Sequence, residues 1–148
     1  MKISVGIKDD NTKEYIELSK EAIDRALKRS GVAAAGYAQD MTPVDTGLAR
    51  NSITWALHGE EPQIKSYKSN TTNKAGKPIK QKTGSYEGNA PEEKNTVFIG
   101  SNVEYFPALE DGDSGHKAWH MLRNAIQNFG DVYKGFLEDE LKKEQEPE

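Results

Sequence analysis

The sequence predicts an α+β domain, in which a small antiparallel sheet packs against two long helices and carries a long flexible basic loop. Short segments with the residue types and period of strands lie on both sides of a polar stretch. Two longer segments carry apolar residues every three or four positions, which is the spacing of an amphipathic helix. The strands and helices do not alternate regularly, as they would in a parallel α/β fold. The length of 148 residues fits one domain, so residues 1–148 are assigned to a single unit.

The N-terminal residues predict the first strand. Ile3, Val5 and Ile7 alternate with polar or small residues, which is the pattern of a strand with one buried face. Because Asp9 and Asp10 follow at once, the segment does not resemble the apolar centre of a signal peptide. We therefore expect a soluble protein made in the cytosol.

The next segment predicts a long helix. Apolar side chains recur at intervals of three and four between residues 15 and 41, so one face of the helix is apolar. Asn11 can cap this helix, and Glu14 completes a capping box. Gly31 and Gly36 each weaken a helix by about 1 kcal/mol relative to alanine. The apolar register continues through both glycines, which predicts one continuous or gently bent helix.

Two further strands are expected after this helix. The helix ends at Thr42-Pro43, because the residue before a proline is disfavoured in the α conformation. Residues 52–58 are rich in β-branched and aromatic side chains and predict a second strand. Residues 96–100 form a short apolar run that ends at a glycine, and they predict a third.

Positive charge is concentrated between the second and third strands. Residues 62–86 carry +6 and, because the net charge of the chain is −4, the other 123 residues carry −10. The basic residues are Lys65, Lys68, Lys74, Lys77, Lys80 and Lys82. Neither a helical nor a strand period is found there, so residues 59–94 are predicted to form a long mobile basic loop. Loops longer than about 12–15 residues are commonly functional or disordered.

Three interpretations of the basic loop remain open. Its lysines could contact phosphates while Tyr67 and Tyr86 stack on bases. It could be a solvated loop that only keeps the protein soluble. It could also become ordered against an acidic neighbour during assembly.

The C-terminal part predicts the second long helix. Its apolar residues are spaced by three and four: Trp119, Leu122, Ile126, Phe129, Tyr133 and Phe136. This register crosses Gly130, which favours one helix, and Asp113 or Ser114 can cap its start. Residues 138–148 are strongly acidic and are expected to fray into a solvated tail. Two helices with such broad apolar faces exceed what a small sheet can cover, so part of that surface is expected to meet a neighbouring subunit.

Composition excludes several classes of protein. Only 34% of the residues are apolar and the mean hydropathy is −0.84, so the core must be small. The absence of cysteine excludes disulfides, thiol catalysis and thiolate metal sites. No apolar run approaches the roughly 18 residues that cross a membrane. The net charge of −4 argues against a globally basic nucleic-acid binder.

Two histidines are the strongest candidates for chemistry. His116 and His120 are four residues apart and lie close to the carboxylates of residues 110–113, so they could hold a metal ion. Lys117 stands where the helix of a metalloprotease carries its glutamate, which favours ordinary surface histidines near a helix start. No serine shows a nucleophile elbow or a triad. We expect no enzyme, no metal and no cofactor; the alternative is a metal- or nucleic-acid-binding enzyme module that uses His116, His120 and the basic loop.

The turn after the first helix resembles a known signature. Residues 42–53, here called the turn motif, read Thr-Pro-Val-Asp-Thr-Gly-Leu-Ala-Arg-Asn-Ser-Ile. They are similar to the signature of the tail-component proteins of long-tailed bacteriophages, also called neck, head–tail joining or tail-completion proteins. In that family a helix ends in a Pro-Val-x-Thr-Gly turn, followed by a Leu, an Arg and a Ser-Ile that opens a strand. The matching residues are Pro43, Val44, Asp45, Thr46, Gly47, Leu48, Arg50 and Ser52.

A second segment strengthens the resemblance. Residues 103–112, here called the second motif, read Val-Glu-Tyr-Phe-Pro-Ala-Leu-Glu-Asp-Gly and are similar to the family's Val-x-Tyr-Ala-x-x-Val-Glu-x-Gly element. The matching residues are Val103, Tyr105, Glu110 and Gly112. Phe106 replaces a small residue of the family pattern, and Asp111 stands where an aromatic residue is common. The C-terminal helix of the family begins with an aromatic-Leu-x-x-Ala pattern, which is similar to residues 119–125 here.

The resemblance implies a structural virion protein of a tailed phage or prophage. Such a protein forms a ring at the head–tail junction and completes the tail or joins it to the head connector. The implied partners are further copies of the chain in a six- or twelve-fold cyclic homo-oligomer, the head connector or adaptor, and the tail tube or tail terminator. The protein would be assembled in the bacterial cytoplasm and located in the virion, without a membrane. The basic loop is expected to make an inter-ring contact or to face the lumen, where it would touch genomic DNA non-specifically.

The physical properties of the turn motif fit a structural role. Pro43 stops the helix, and Asp45 and Thr46 can hydrogen-bond to the backbone of the turn. Gly47 supplies the backbone freedom that the turn needs. Arg50 is expected to pair with a glutamate of the second motif, either Glu104 or Glu110.

Overall fold

The computed structural model describes residues 3–8 and 20–145, and the side chains of residues 20–144. The elements follow in the order β1 (Ile3–Lys8), α1 (Lys20–Met41), α2 (Leu48–Ser52), β2 (Thr54–Leu57), β3 (Ser66–Lys68), β4 (Thr83–Ser85), β5 (Thr96–Ser101), α3 (Phe106–Asp111), α4 (Met121–Phe129) and α5 (Val132–Gln145). Helices and antiparallel sheets are combined without a parallel β-α-β unit among these elements, which confirms the predicted α+β class. None of the helices in the described part of the chain has the length and apolar character needed to span a membrane.

The main sheet has three antiparallel strands in the order β1-β5-β2. β1 pairs with β5 along its whole length, so the predicted first strand is confirmed. β2 pairs with the other edge of β5, from Thr54 opposite Gly100 to Leu57 opposite Val97. The second strand is shorter than the predicted residues 52–58 because α2 ends only at Ser52. β5 is buried at all but one position, since it is the central strand and packs against α1.

Helix α1 is the centre of the molecule and contacts the sheet, α4 and α5. It continues without a break through both glycines, as predicted. At Gly31 a Cβ atom would lie 2.7 Å from Cγ2 of Val97 and 3.0 Å from Cε3 of Trp55, so the glycine allows the helix to approach the sheet closely. The helix ends at Met41 before Pro43, again as predicted, while the expected start at Asn11 and Glu14 lies outside the described residues.

The prediction of one long C-terminal helix is wrong. α4 ends at Phe129, and a turn at Gly130 and Asp131 separates it from α5. Both residues are weak helix formers, so a break there costs little. The turn redirects the chain so that both helices lie on α1. Phe129 packs edge-on against Tyr37, with 5.9 Å between ring centroids, and Phe136 lies 4.4 Å beneath the guanidinium of an arginine of α1.

The expected acidic tail is also largely helical. Residues 138–145 belong to α5, and residues 146–148 lie outside the described part of the chain. Glu140 is only 5% exposed and accepts hydrogen bonds from Arg25 Nε at 2.8 Å and Arg29 Nη1 at 3.3 Å. The arginine hydrogen bonds lower the pKa of Glu140 below its ordinary value. This part of the acidic segment is therefore held against α1 and does not form a solvated tail.

Candidate interaction groove

The turn motif and the second motif meet at one open groove of about 600 Å³. The groove is lined by residues of the turn motif, of α3 and of the segment before α4, with two lysines at its rim. These residues are Pro43, Val44, Asp45, Thr46, Gly47, Leu48, Ala49, Lys74, Lys82, Tyr105, Leu109 and Trp119. Val44 and Tyr105 are 38% and 44% exposed, which is high for large apolar or aromatic side chains. The groove is thus a concave, largely apolar surface whose lining also includes two lysines and Asp45.

The turn motif owes its shape to two adjacent residues. Gly47 has a φ of 79°, in the left-handed region, and a Cβ atom there would lie 2.8 Å from Nδ2 of Asn70. Glycine is therefore required both by the backbone conformation and by the close approach of Asn70. Oγ1 of Thr46 accepts a hydrogen bond from the Leu48 backbone N–H at 3.3 Å, at the start of α2. Asp45 instead accepts one from the backbone N–H of Lys74 at 3.2 Å, so it binds the basic segment.

Buried hydroxyl groups connect the two motifs. Oγ of Ser52 lies 2.5 Å from Oγ of Ser101 and donates to the Ala49 carbonyl at 2.6 Å. Oγ of Ser101 accepts from the Val103 backbone N–H at 3.1 Å, at the start of the second motif. Both serines are almost completely buried, so loss of either hydroxyl would leave unpaired polar groups.

Tyr105 forms a further link between the two motifs. Partial burial raises the pKa of Tyr105 above its ordinary value, and the neighbouring Thr46 side chain and Ala49 backbone oppose the rise. The ring of Tyr105 lines the groove.

Glu110 of the second motif caps helix α4. Its side chain is buried, and its two carboxylate oxygens accept the backbone N–H groups of Leu122 and Arg123, each at 2.9 Å. These are orphan donors of the first helical turn, where a negative charge is also favoured by the helix dipole. The predicted cap at Asp113 or Ser114 is therefore wrong. A cap supplied from a preceding helix leaves no capping-box pattern in the local sequence.

The predicted partner of Arg50 is also wrong. Its closest carboxylate is Asp40, with 3.9 Å between Nη2 and Oδ1 across the end of α1. Glu110 is already occupied by the start of α4, and Glu104 is exposed. Arg50 is itself half exposed, so this contact is a weak surface pair.

Gly112 ends α3 in a conformation that only glycine adopts readily. Its φ is 78°, and a Cβ atom would lie 2.9 Å from the Ala118 nitrogen. The following loop folds back through a bridge between Asp113 and His116, whose Oδ1 and Nδ1 atoms are 2.7 Å apart. Hydrogen bonds from the Gly115 backbone and from His116 lower the pKa of Asp113.

The two histidines have different surroundings. His116 is exposed and paired with Asp113, while His120 precedes α4 with a φ of 49°. Within the described residues there is no group of three His, Cys, Asp or Glu side chains that could hold a metal ion. In this part of the chain the metal-site alternative therefore lacks a third ligand.

The segment predicted to be a loop without regular structure contains a hairpin. β3 and β4 pair antiparallel, and an isolated bridge joins Thr72 to Pro78 nearer the tip. At the tip, Oδ1 of Asn73 accepts the backbone N–H groups of Ala75 and Lys77. Residues 65–86 are therefore called the basic hairpin. Sequence patterns missed it because its strands are short and polar. The hairpin is stabilised by hydrogen bonds from side chains to the backbone and not by an apolar face.

The basic hairpin is attached to the turn motif. The Asn70 backbone N–H donates to the Thr46 carbonyl at 2.6 Å, and Nδ2 of Asn51 donates to the Lys68 carbonyl at 2.8 Å. Together with the contact of Asp45, these bonds place the lysines at positions 74 and 82 on the rim of the groove. No pattern in the sequence indicated this contact.

Tyr67 and Tyr86 anchor the base of the basic hairpin. Their rings pack together with 5.6 Å between centroids. The Tyr67 hydroxyl donates to Oδ1 of Asn102, and the Tyr86 hydroxyl donates to the Ser52 carbonyl and accepts the Asn102 backbone N–H at 3.2 Å. Burial raises the pKa of Tyr86 to about 12. The interpretation of these rings as free platforms for bases is corrected, because both are bound to the domain.

The six lysines are exposed, as expected for a basic contact surface. Lys65 pairs with Glu61, and the other five make no ion pair with a carboxylate among the described residues. Their charges are therefore not neutralised within this part of the chain.

Comparisons of the sequence and the structure with protein-family models, curated proteins and solved structures returned no match.

Proposed function

We propose that this chain is a structural virion protein of a tailed bacteriophage, which forms a ring at the head–tail junction and completes the tail or joins it to the head connector. The observation that carries the proposal is the convergence of the two motifs. They are far apart in the sequence, yet both line the same groove. The two segments that resemble the tail-component family thus contribute to one surface of this chain, which supports a common role for them.

The polar groups of the motifs support a structural role. Ser52, Thr46 and Glu110 use their side chains to hold backbone groups of the turn motif and of α4. Among the side chains that the motifs leave exposed are two large apolar or aromatic ones that line the groove, Val44 and Tyr105. Exposed apolar patches bordered by polar groups are typical of protein–protein contacts. The groove is accordingly assigned to assembly and not to catalysis.

The basic hairpin supplies the second contact in this proposal. Its unpaired lysines stand beside the groove and favour an acidic protein surface or the phosphates of DNA. In a ring at the junction the hairpin would either meet the adjoining ring or face the lumen through which the genome passes. The ring would contain six or twelve copies of the chain.

The proposal is tested by removing the gene from the phage or prophage that encodes the chain. We expect DNA-filled heads and separate tails, visible by negative-stain electron microscopy, and a loss of infectivity. Wild-type protein supplied in trans should restore joined particles. A Val44→Asp variant, which places a charge in the groove, should not restore them. Normal joined particles without the protein would overturn the proposal.

A further inference from the structure

Several large apolar side chains are exposed in the described part of the chain. They are Val32, Met41, Val44, Tyr105 and Val132. Val44 and Tyr105 lie in the groove, which Lys74, Lys82 and Asp45 also line. Asp45 accepts the backbone N–H of Lys74, which leaves both ammonium groups without a carboxylate partner among the described residues. A surface that complements the apolar side chains and the two lysines would present an apolar side chain next to an acid.

Val132 matches this description. It is 40% exposed at the first position of α5, directly after the turn that separates α4 from α5. Asp131 precedes it, is exposed, and makes no ion pair with the described residues. The turn thus displays an apolar side chain and an unpaired carboxylate side by side. We call residues 130–132 the elbow.

The elbow and the groove lie at opposite ends of α4. Trp119 lines the groove just before this helix, and the elbow follows its last residue, Phe129. Nine helical residues span about 14 Å. Two complementary surfaces at different places on one chain can form a heterologous, head-to-tail contact, which generates rings or filaments.

Charge also favours a second copy as the partner. Residues 62–86 carry +6 and the other 123 residues carry −10, so the chain itself provides the acid that the basic hairpin lacks. Five of the six lysines have no carboxylate partner within the described part of one chain. Opposite charges at the edge of an apolar contact fix its orientation and speed association.

We infer that the groove binds the elbow of a second copy of this chain. Val132 of that copy enters between Val44 and Tyr105, and its Asp131 faces Lys74 and Lys82. This inference rests on the proposed ring function and specifies the contact that closes the ring. The occupant is thus a defined segment of an identical subunit.

Cysteine cross-linking tests this contact directly, because the chain contains no cysteine of its own. Val44→Cys and Val132→Cys variants are purified separately, mixed, and treated with a short bismaleimide. We expect a covalent dimer in the mixture at a yield several times that of either variant alone. A chain with both substitutions should give a ladder of larger species. Glu87→Cys replaces Val132→Cys in the control mixture, because Glu87 is exposed and lies outside both surfaces.

A charge exchange provides a second measurement. Asp131→Lys in the Val132→Cys chain should greatly reduce cross-linking to Val44→Cys. Adding Lys74→Glu and Lys82→Glu to the Val44→Cys chain should restore the cross-linking. Such a recovery would show that the first loss was caused by the reversed charge and not by unfolding of a variant. The inference is overturned if the Val44→Cys and Val132→Cys mixture cross-links no better than the control. It is also overturned if Lys74→Glu and Lys82→Glu do not restore the cross-linking that Asp131→Lys reduces.

Failure of this contact and failure of the proposed function give different results. If the protein forms rings at the junction but the two cysteines do not react, the groove binds something else and only the interface is wrong. If the cysteines react but particles join normally without the protein, the interface stands and the function is wrong.

Discussion

Single residues hold the groove together by satisfying backbone groups of segments distant in sequence. Glu110 caps α4 from the end of α3, and the Ser52 hydroxyl is hydrogen-bonded to the Ser101 hydroxyl. The Thr46 side chain accepts the Leu48 backbone N–H at the start of α2, and the Thr46 carbonyl accepts the Asn70 backbone N–H. Apart from the bond between Thr46 and Leu48, these contacts join residues that are at least twelve positions apart in the sequence. The resemblance named several of these residues, but not what they touch.

Replacing Glu110 tests the cap of α4. Glu110→Ala removes the acceptor for two backbone N–H groups at the helix start, and we expect a loss of about 1–2 kcal/mol in the free energy of unfolding. The urea midpoint measured by circular dichroism reports this change. Glu104→Ala is the matched control, because Glu104 is exposed in the same motif and should change the midpoint little. Equal midpoints for the two variants would contradict the assigned cap.

Gly47→Ala tests the contact between the turn motif and the basic hairpin. We expect a loss of more than about 1 kcal/mol, because the φ of 79° is unfavourable for alanine and the new methyl group meets Asn70 at 2.8 Å. Gly76→Ala separates the two causes, since Gly76 has a φ of 80° but no atom within 4 Å of the added Cβ. Thermal unfolding should show a larger loss at position 47. A Gly47→Ala variant no less stable than Gly76→Ala would refute the tight approach of Asn70.

At the scale of elements, the sequence predicts what depends on local apolar spacing. β1 and α1 are found where the periods of two and of three to four place them, and β5 is found where a short apolar run places it. The break between α4 and α5 escaped prediction because the apolar register crosses Gly130 unchanged, and only contact with α1 distinguishes one helix from two. The basic hairpin escaped because its hydrogen bonds come from polar side chains that also occur in ordinary loops.

The anchor of the basic hairpin predicts a dependence of stability on pH. The pKa of Tyr86 is about 12 in the folded protein and near 10 in an unfolded chain. The folded state therefore keeps a proton that the unfolded state releases, and stability falls as the pH rises from about 10 to about 12. Urea unfolding at several pH values should show this fall in the wild type and a smaller one in Tyr86→Phe. The same fall in both proteins would contradict the role of this hydroxyl.

The charges of the basic hairpin are tested by replacing all six lysines with serine. We expect the domain to fold, since only Lys65 forms an ion pair in the described residues and that pair is exposed. Particle assembly or DNA retention should be lost, as counted by electron microscopy and by nuclease-protected DNA. Arginine at the same six positions keeps the charge and should preserve both. Unchanged assembly and DNA retention in the serine variant would exclude a functional role for the charge.

At the scale of the whole molecule, a mild net charge conceals a basic hairpin and an acidic remainder of the chain. The basic hairpin stands beside an apolar groove, and the rest of the chain carries an excess of acid. A subunit with this distribution favours contacts between unlike surfaces, which is what closed rings require. The fold class followed from the sequence, but the groove depends on chain segments that meet only in three dimensions.

The central proposal, a ring at the head–tail junction of a tailed phage, is tested most directly by electron cryomicroscopy of phage particles purified from the source that encodes this chain. We predict a ring with six- or twelve-fold symmetry at the junction, into whose density the described residues fit, with the groove of each subunit covered by the elbow of the next. Intact particles in which this protein is absent from the junction would contradict the claim.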